Sequence, residues 1–376
     1  MDPIKILKRA WHIVWNYRVL WIFGFILALT ASGSSGGSGN NGSRFNINER
    51  EEFQMPSNME REFNSAGEAF EEFFRQGLPA LERELDLPSG ELSTMLWVIG
   101  AFILVMIIVG LAMSVARYVS ETSVIRMVDE YESSGKMLSF REGWRLGWNR
   151  KAWRLFLINL ILSLPAFLLL AFFVVIGFTV YKTASAPGAG SGGMWASWAG
   201  IVAIVLVVLF VFAILMVFLG LLQKFFWRAA ALEDLGVRDS FRSGWQTFRE
   251  NWKDIGIMWL VMVGLGIAWA IASIILFVIS IPVLAITVVA GAVVAAIPGL
   301  LLVGFFSLFL NSYLPWIAGG LFVLPLFFIV GFSPWIFLSG LTLTYTSTVW
   351  TLVYRELKAL PSLALDDEPE IMQLEE

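Results

Sequence analysis

Long apolar runs alternate along the chain with short stretches rich in Trp, Arg and Lys. The runs cover residues 19–31, 92–116, 155–181 and 194–222, and then residues 255–354, where 100 consecutive positions carry no Asp, Glu, Lys, Arg or His. A helix needs about 20 apolar residues to cross a bilayer. All but the first run are long enough alone, and the first is completed at its two ends by Tyr17, Arg18 and the Ser and Gly residues that follow it. Pro282, Pro298, Pro315 and Pro334 punctuate the last block, and because proline interrupts the helical hydrogen-bond ladder, four spans are predicted there. The pattern as a whole predicts an all-α, polytopic membrane helix bundle of about eight transmembrane helices, or six if residues 281–333 form a re-entrant hairpin instead of two full spans.

The polar stretches differ from one another. Residues 32–93 open with the flexible "SGSSGGSGNNGS" and carry 12 Asp or Glu against 5 Arg, with no Lys. Phe63, Phe70, Phe74, Leu81 and Leu85 recur there at helical spacing among glutamates, and Pro79 divides them, so an acidic cap of short amphipathic helices is predicted. Of the 26 Lys and Arg, 20 fall before the first run, around the two Trp-rich stretches, or after the last span, and 6 fall in the alternate loops. Basic residues near spans stay on the cytoplasmic side. The expected location is therefore the cell membrane, multi-pass, with both termini cytoplasmic and residues 32–93 outside.

The Trp-rich stretches repeat. "SFREGW" from Ser139 returns as "SFRSGW" from Ser240, and "LKRAWHIVWNYRVLW" from Leu7 lies over "FREGWRLGWNRKAWR" from Phe140 and "FRSGWQTFRENWKD" from Phe241. Trp11, Trp144 and Trp245 fall together, Trp15 falls on Trp148, and Arg18, Lys151 and Lys253 take equivalent places. A second block, "TSVIRMVDE" from Thr122, resembles "STVWTLVYR" from Ser347, with "FWRAAALED" from Phe226 as a weaker middle copy. This reads as three pseudo-repeats of an interfacial amphipathic helix plus a transmembrane hairpin, the third holding an inserted apolar pair. It also argues against reading the first run as a cleaved signal peptide. The divisions are 1–31 (first interfacial helix and span), 32–93 (acidic cap), 94–138 (second span and exit helix), 139–239 (second repeat), 240–358 (third repeat) and 359–376 (acidic, solvated tail).

In a helix, Phe140, Trp144 and Trp148 stand at i, i+4 and i+8 and form an apolar stripe, while Arg141, Arg145 and Lys151 can reach lipid phosphates. The residues expected at the membrane interface are Trp11, Trp15, Arg18, Arg141, Trp144, Trp148, Lys151, Arg242, Trp245, Trp252 and Lys253. Gly264, Ala268 and Ala272 have the spacing of a close helix-packing face, and Gly291 with Ala295 forms a second candidate.

The stretch "ALEDLGVRDSFRSGWQTFRENW" over 231–252 and the closing "YRELK" over 354–358 resemble the multispanning membrane domain of the glycerophosphoryl diester phosphodiesterase family. The resemblance covers most of the membrane part and implies a helical membrane domain. It implies no enzyme activity, because the chain lacks the family's soluble barrel and has no paired carboxylates with histidine to hold a metal and act as acid and base.

Composition agrees with this reading: 57% of residues are hydrophobic, 15% are charged, and mean hydropathy is +0.73. With no cysteine and one histidine, His12, neither thiolate chemistry nor a multi-histidine metal site is available. No cofactor is expected. The pI of 5.3 and dispersed basic residues argue against nucleic acid as a partner. The predicted spans keep ionisable residues out of their cores, where ion-coupled transporters need them. Asn159, Ser163, Ser339, Thr342, Thr344 and Tyr345 are expected to bond backbone carbonyls or neighbouring helices. The resulting expectation is a non-catalytic membrane scaffold or accessory subunit that meets lipids and a protein partner. The alternative is a transporter, channel or lipid-handling protein that uses proline-broken helices.

Overall fold

Residues this apolar leave their backbone amides no partner but one another, and the elements that form are helices. The computed structural model describes residues 1–31, 91–184, 191–310 and 314–366. Residues 32–90 of the cap expected over 32–93, most of the Gly-rich link near 185–190, Asn311 and Ser312, and the tail beyond 366 lie outside the described residues. The elements are α1 (Pro3–Asn16), α2 (Val19–Ala31), α3 (Glu91–Ser134), α4 (Phe140–Gly147), α5 (Arg150–Ala184), α6 (Ser191–Leu232), α7 (Val237–Glu250), α8 (Trp252–Phe306), α9 (Leu314–Gly331) and α10 (Ser333–Asp366). The last helix runs through 359–366, where a solvated tail was expected.

Among the described residues six helices, α3, α5, α6, α8, α9 and α10, are long and apolar enough to cross a membrane, and α1 with α2 forms a pair bent by 98°. The chain is a polytopic helical membrane protein. Eight spans, or six as the fallback, were expected; the first run forms only the 13-residue α2, bent against α1, and the last block forms three long helices where four were expected. Pro315 and Pro334 stand in the first turns of α9 and α10, where their missing N–H would be unpaired anyway. Pro282 and Pro298 instead lie inside α8, a single helix of 55 residues. Breaking it between them would leave backbone groups unpaired among apolar side chains, which costs more than the one hydrogen bond each proline removes. At 1.5 Å per residue α8 is about 80 Å long, well over one bilayer crossing.

The chain forms two compact units. One comprises α1, α2, α3 from Met113, α4 to α7, α8 through Ala272 and α10 from Ile336; the other comprises α3 before Met113, α8 from Ser273 and α9. In the second unit α8 and α9 meet at glycines: a Cβ on Gly291 would stand 2.9 Å from the Gly331 amide nitrogen, and Thr287 donates to the Gly331 carbonyl at 2.7 Å. Phe322 packs between Phe102 and Phe306 at 5.1 and 5.6 Å.

The first unit holds the main core. Ile13, Leu20 and Phe23 from the first two helices pack there with Val124, Met127 and Val128 of α3, Phe225 and Ala229 of α6, and Val349, Trp350 and Val353 of α10. Tyr17, 2% exposed, occupies the bend between α1 and α2 and donates to the Leu138 carbonyl at 2.8 Å. Trp144 joins this core, stacking on Phe23 at 6.5 Å, whereas Trp148 is 59% exposed. Trp144→Ala is therefore expected to cost about 2 kcal/mol of stability, and Trp148→Ala under about 0.5 kcal/mol, in detergent unfolding. Equal losses would mean that the stripe acts as one surface.

Candidate functional site

Each of α1, α4 and α7 carries a buried small residue directly before its first tryptophan, and α4 and α7 use it to lie against a long helix. Ala10, Gly143 and Gly244 stand before Trp11, Trp144 and Trp245, and all three are buried. A Cβ on Gly143 would collide with the Met127 side chain of α3, and one on Gly244 would stand 2.6 Å from Phe226 Cδ1 of α6. Ser123 of α3 donates to the Gly143 carbonyl at 2.8 Å. The first amphipathic helix meets α10, where Tyr345 donates to the Leu7 carbonyl at 3.3 Å and its ring lies edge-on to Trp11 at 6.0 Å. Hence α4 docks on α3, α7 on α6 and α1 on α10. The quoted motif carries a contact glycine that its Trp and Arg residues overshadow.

The two motif serines differ in role. Ser139 caps α4 in a capping box: its amide donates to Glu142 at 2.8 Å, and its hydroxyl accepts from the Glu142 amide. The Ser139 amide and hydroxyl, each donating to the Glu142 carboxylate at 2.8 Å, hold it below its usual range. Ser240 lies inside α7, because Gly236 lets that helix begin earlier, and it donates back to the Gly236 carbonyl at 2.7 Å.

Ion pairs tie the helix ends together. Arg355 of α10 pairs with Asp129 of α3, and Arg9 of α1 donates to Glu132 at 2.9 Å. Asp234 has the left-handed backbone conformation (φ 57°) that ends α6, and it receives Arg154 at 2.9 Å and Lys151 at 3.4 Å. Glu233 accepts from Tyr354, from Ser243 at 2.8 Å, and from Lys358 at 3.0 Å. Asp129, Glu233, Tyr354, Arg355 and Lys358 line an open depression of about 350 Å³.

Burial favours the neutral acids, but the hydrogen bonds and cations around Glu233 and Asp234 outweigh it and hold both carboxyls below their ordinary values of 4.5 and 3.8. Depressed folded values add stability that is complete above the unfolded values and is lost as pH falls through the folded ones. The unfolding midpoint should thus hold steady from neutrality to about pH 5 and drop at more acid pH. Glu233→Gln should flatten that drop in a pH series of melts, and an unchanged acid limb would remove Glu233 from the account.

Deeper in the first unit, α3, α6 and α10 share a polar junction. Arg228 of α6, 2% exposed, donates to the carbonyls of Lys224 at 2.8 Å and Ser347 at 3.0 Å. The Ser347 hydroxyl donates to Glu121 of α3 at 2.7 Å. Lys224, one turn before Arg228, lies over the Trp350 ring at 4.6 Å. Gln223 bonds Asn159 of α5 at 2.7 Å. Basic residues at span ends look like ordinary orientation signals, so Lys224 and Arg228 carried no mark of burial in the sequence. Their i, i+4 spacing, with Glu121 at the end of another run, was the available clue.

Most of the expected interface residues are on the surface: Trp11, Trp15, Arg18, Arg141, Trp148, Arg242, Trp245, Trp252 and Lys253 are exposed. Trp11 and Trp15 stack at 5.4 Å beside Lys8, His12, Asn16 and Tyr345 along a groove of about 530 Å³. Lys151 departs from the expectation of reaching lipid phosphate, because it is 5% exposed and turned to Asp234. Gly264 and Ala268 also depart. Among the described residues no atom of another element lies within 4 Å of where a Gly264 Cβ would stand, and Ala268 is exposed, while Ala272 is half-buried. The close approach occurs at Gly291. Thr342 and Thr344 donate to the carbonyls of Leu338 at 3.1 Å and Leu20 at 3.5 Å.

Long apolar helices, amphipathic helices leading into them and a buried polar junction define a helical multi-pass membrane protein. The chain belongs to the family of unknown function DUF7544, whose model matches residues 16–357. No curated protein and no solved structure matches it.

Proposed function

We propose that the chain is a non-catalytic integral membrane scaffold or accessory subunit. In this reading it lies multi-pass in the cell membrane as three internal repeats, with its termini and amphipathic helices cytoplasmic and residues 32–93 outside. The observation that carries it is the contrast between the two ends of the helices. Polar bonds and packing are concentrated where α3, α6 and α10 meet, yet no residue in the most apolar 18-residue stretch of α3, α5 or α6 is buried within the chain. Unburied apolar helices suit lipid and a membrane protein partner. Kinship with the glycerophosphoryl diester phosphodiesterase membrane domain belongs to the same proposal.

Purification from native membranes in mild detergent, with mass spectrometry of accompanying proteins and lipids, tests the proposal. A stoichiometric membrane protein is the expected result. A chain that travels alone with one lipid class enriched would favour a lipid-handling function, the second reading. Lys224 and Arg228 support that reading as ionisable groups on a long apolar helix.

A further inference from the structure

We propose that Lys224, Arg228 and Trp350 form a binding site for a phosphate group. The argument begins with charge. Lys224 and Arg228 stand one turn apart on α6, and among the described residues no carboxylate oxygen lies within 4.0 Å of either. The neighbouring acid, Glu121, is bonded to the Ser347 hydroxyl. Two cations thus face one indirectly placed anion in a poorly hydrated setting, where an unpaired charge is costly.

Donor counting points the same way. Arg228 gives two of its nitrogens to backbone carbonyls, while its Nε and the Trp350 Nε1 are buried and have no acceptor among the described residues. Buried N–H groups are rarely left unpaired. The Lys224 ammonium rests on the Trp350 ring, a contact a flexible side chain can exchange for a stronger one. Lys224 and Glu121 are partly exposed, whereas Arg228 and Trp350 are closed, so Lys224 forms the entrance.

A phosphate supplies what is missing: negative charge and several acceptor oxygens for an ammonium, a guanidinium N–H and an indole N–H. As it enters, Lys224 swings off the indole and pairs with it. The position fits phosphate as well. Lys224 stands two positions past the apolar run 194–222, and the ends of such runs are where lipid phosphates meet a span. A phospholipid headgroup and free phosphate share this chemistry.

The test uses the full chain, delipidated in mild detergent, with its unfolding midpoint titrated against phosphatidate, phosphatidylcholine and inorganic phosphate at constant ionic strength. Phosphate-bearing probes should raise the midpoint, and Lys224→Met and Trp350→Phe should each weaken the effect about tenfold, the worth of one charge-assisted hydrogen bond. Lys224→Arg should restore it. A response to phosphatidate alone assigns the site to anionic lipid, whereas an equal response to inorganic phosphate assigns it to the free ion. Should Trp350→Phe fail to fold, the Lys224→Met and Lys224→Arg pair still decides. Absence of any shift, or a shift unchanged in Lys224→Met, overturns the proposal. Protein partners do not enter this measurement, so its failure is separate from failure of the scaffold reading.

Discussion

Gly340→Leu is expected to separate α2 from α10 and to lower stability by about 3 kcal/mol or more, read as the unfolding midpoint and folded fraction in detergent. A Cβ at Gly340 would stand 2.6 Å from the carbonyl carbon and oxygen of Gly24 and 2.8 Å from the Phe25 nitrogen. Those atoms are backbone, so no side-chain rotation can make room. The reverse contact is as tight: a Cβ on Gly24 would meet the Gly340 carbonyl at 2.6 Å and collide with the Thr344 hydroxyl. Leucine must therefore push the helices apart, and the loss extends to Leu20 and Phe23, which this crossing seats in the core. Gly264→Ala is the control. Nothing lies within 4 Å of its added methyl, so stability should rise slightly, by up to about 1 kcal/mol, from the better helix propensity of alanine. A Gly340→Leu chain as stable as the wild type would show that α2 does not depend on this crossing.

Glu121→Ala is expected to have an effect of similar size for a different reason. It removes the carboxylate that Ser347 links to Arg228 and leaves the Ser347 hydroxyl without the acceptor it holds at 2.7 Å, while the guanidinium stays 2% exposed. Taking one member from a buried charged set costs about 3 kcal/mol or more, mostly because the remaining charge is uncompensated. The signature is in the cycle. Arg228→Met made alone should also destabilise, but combined with Glu121→Ala it should recover about 1 kcal/mol or more relative to the sum, because no orphaned charge remains. Strict additivity would show that Glu121 and Arg228 act independently.

These two sites differ in how far the sequence revealed them. The apolar runs, the amphipathic stretches ahead of α2, α5 and α8, and the starts of α9 and α10 at Pro315 and Pro334 were legible because each depends on neighbours within a few turns. Pro282 and Pro298 misled for a related reason. Proline marks a weak point in a helix, but whether the chain breaks there depends on whether freed amides would find partners. The motif glycines Gly143 and Gly244 were visible as letters, yet their task was hidden, since a missing side chain says nothing about the helix that fills its space. Gly264 and Ala268 show the converse, a packing pattern that stands exposed among the described residues.

The sequence by itself determined that the chain is a helical membrane protein with amphipathic helices leading into apolar ones, because helix length, apolarity and periodicity are local properties. Only the tertiary structure decided that Lys151 turns inward to Asp234, that Arg228 is a buried cation with Lys224 half-buried beside it, and that Glu121 answers Ser347. The last pair lie 226 positions apart and Arg228 lies 119 from Ser347. Whether a charged residue at a span end faces solvent or the core is set by which distant helix lies over it, and no local pattern records that choice.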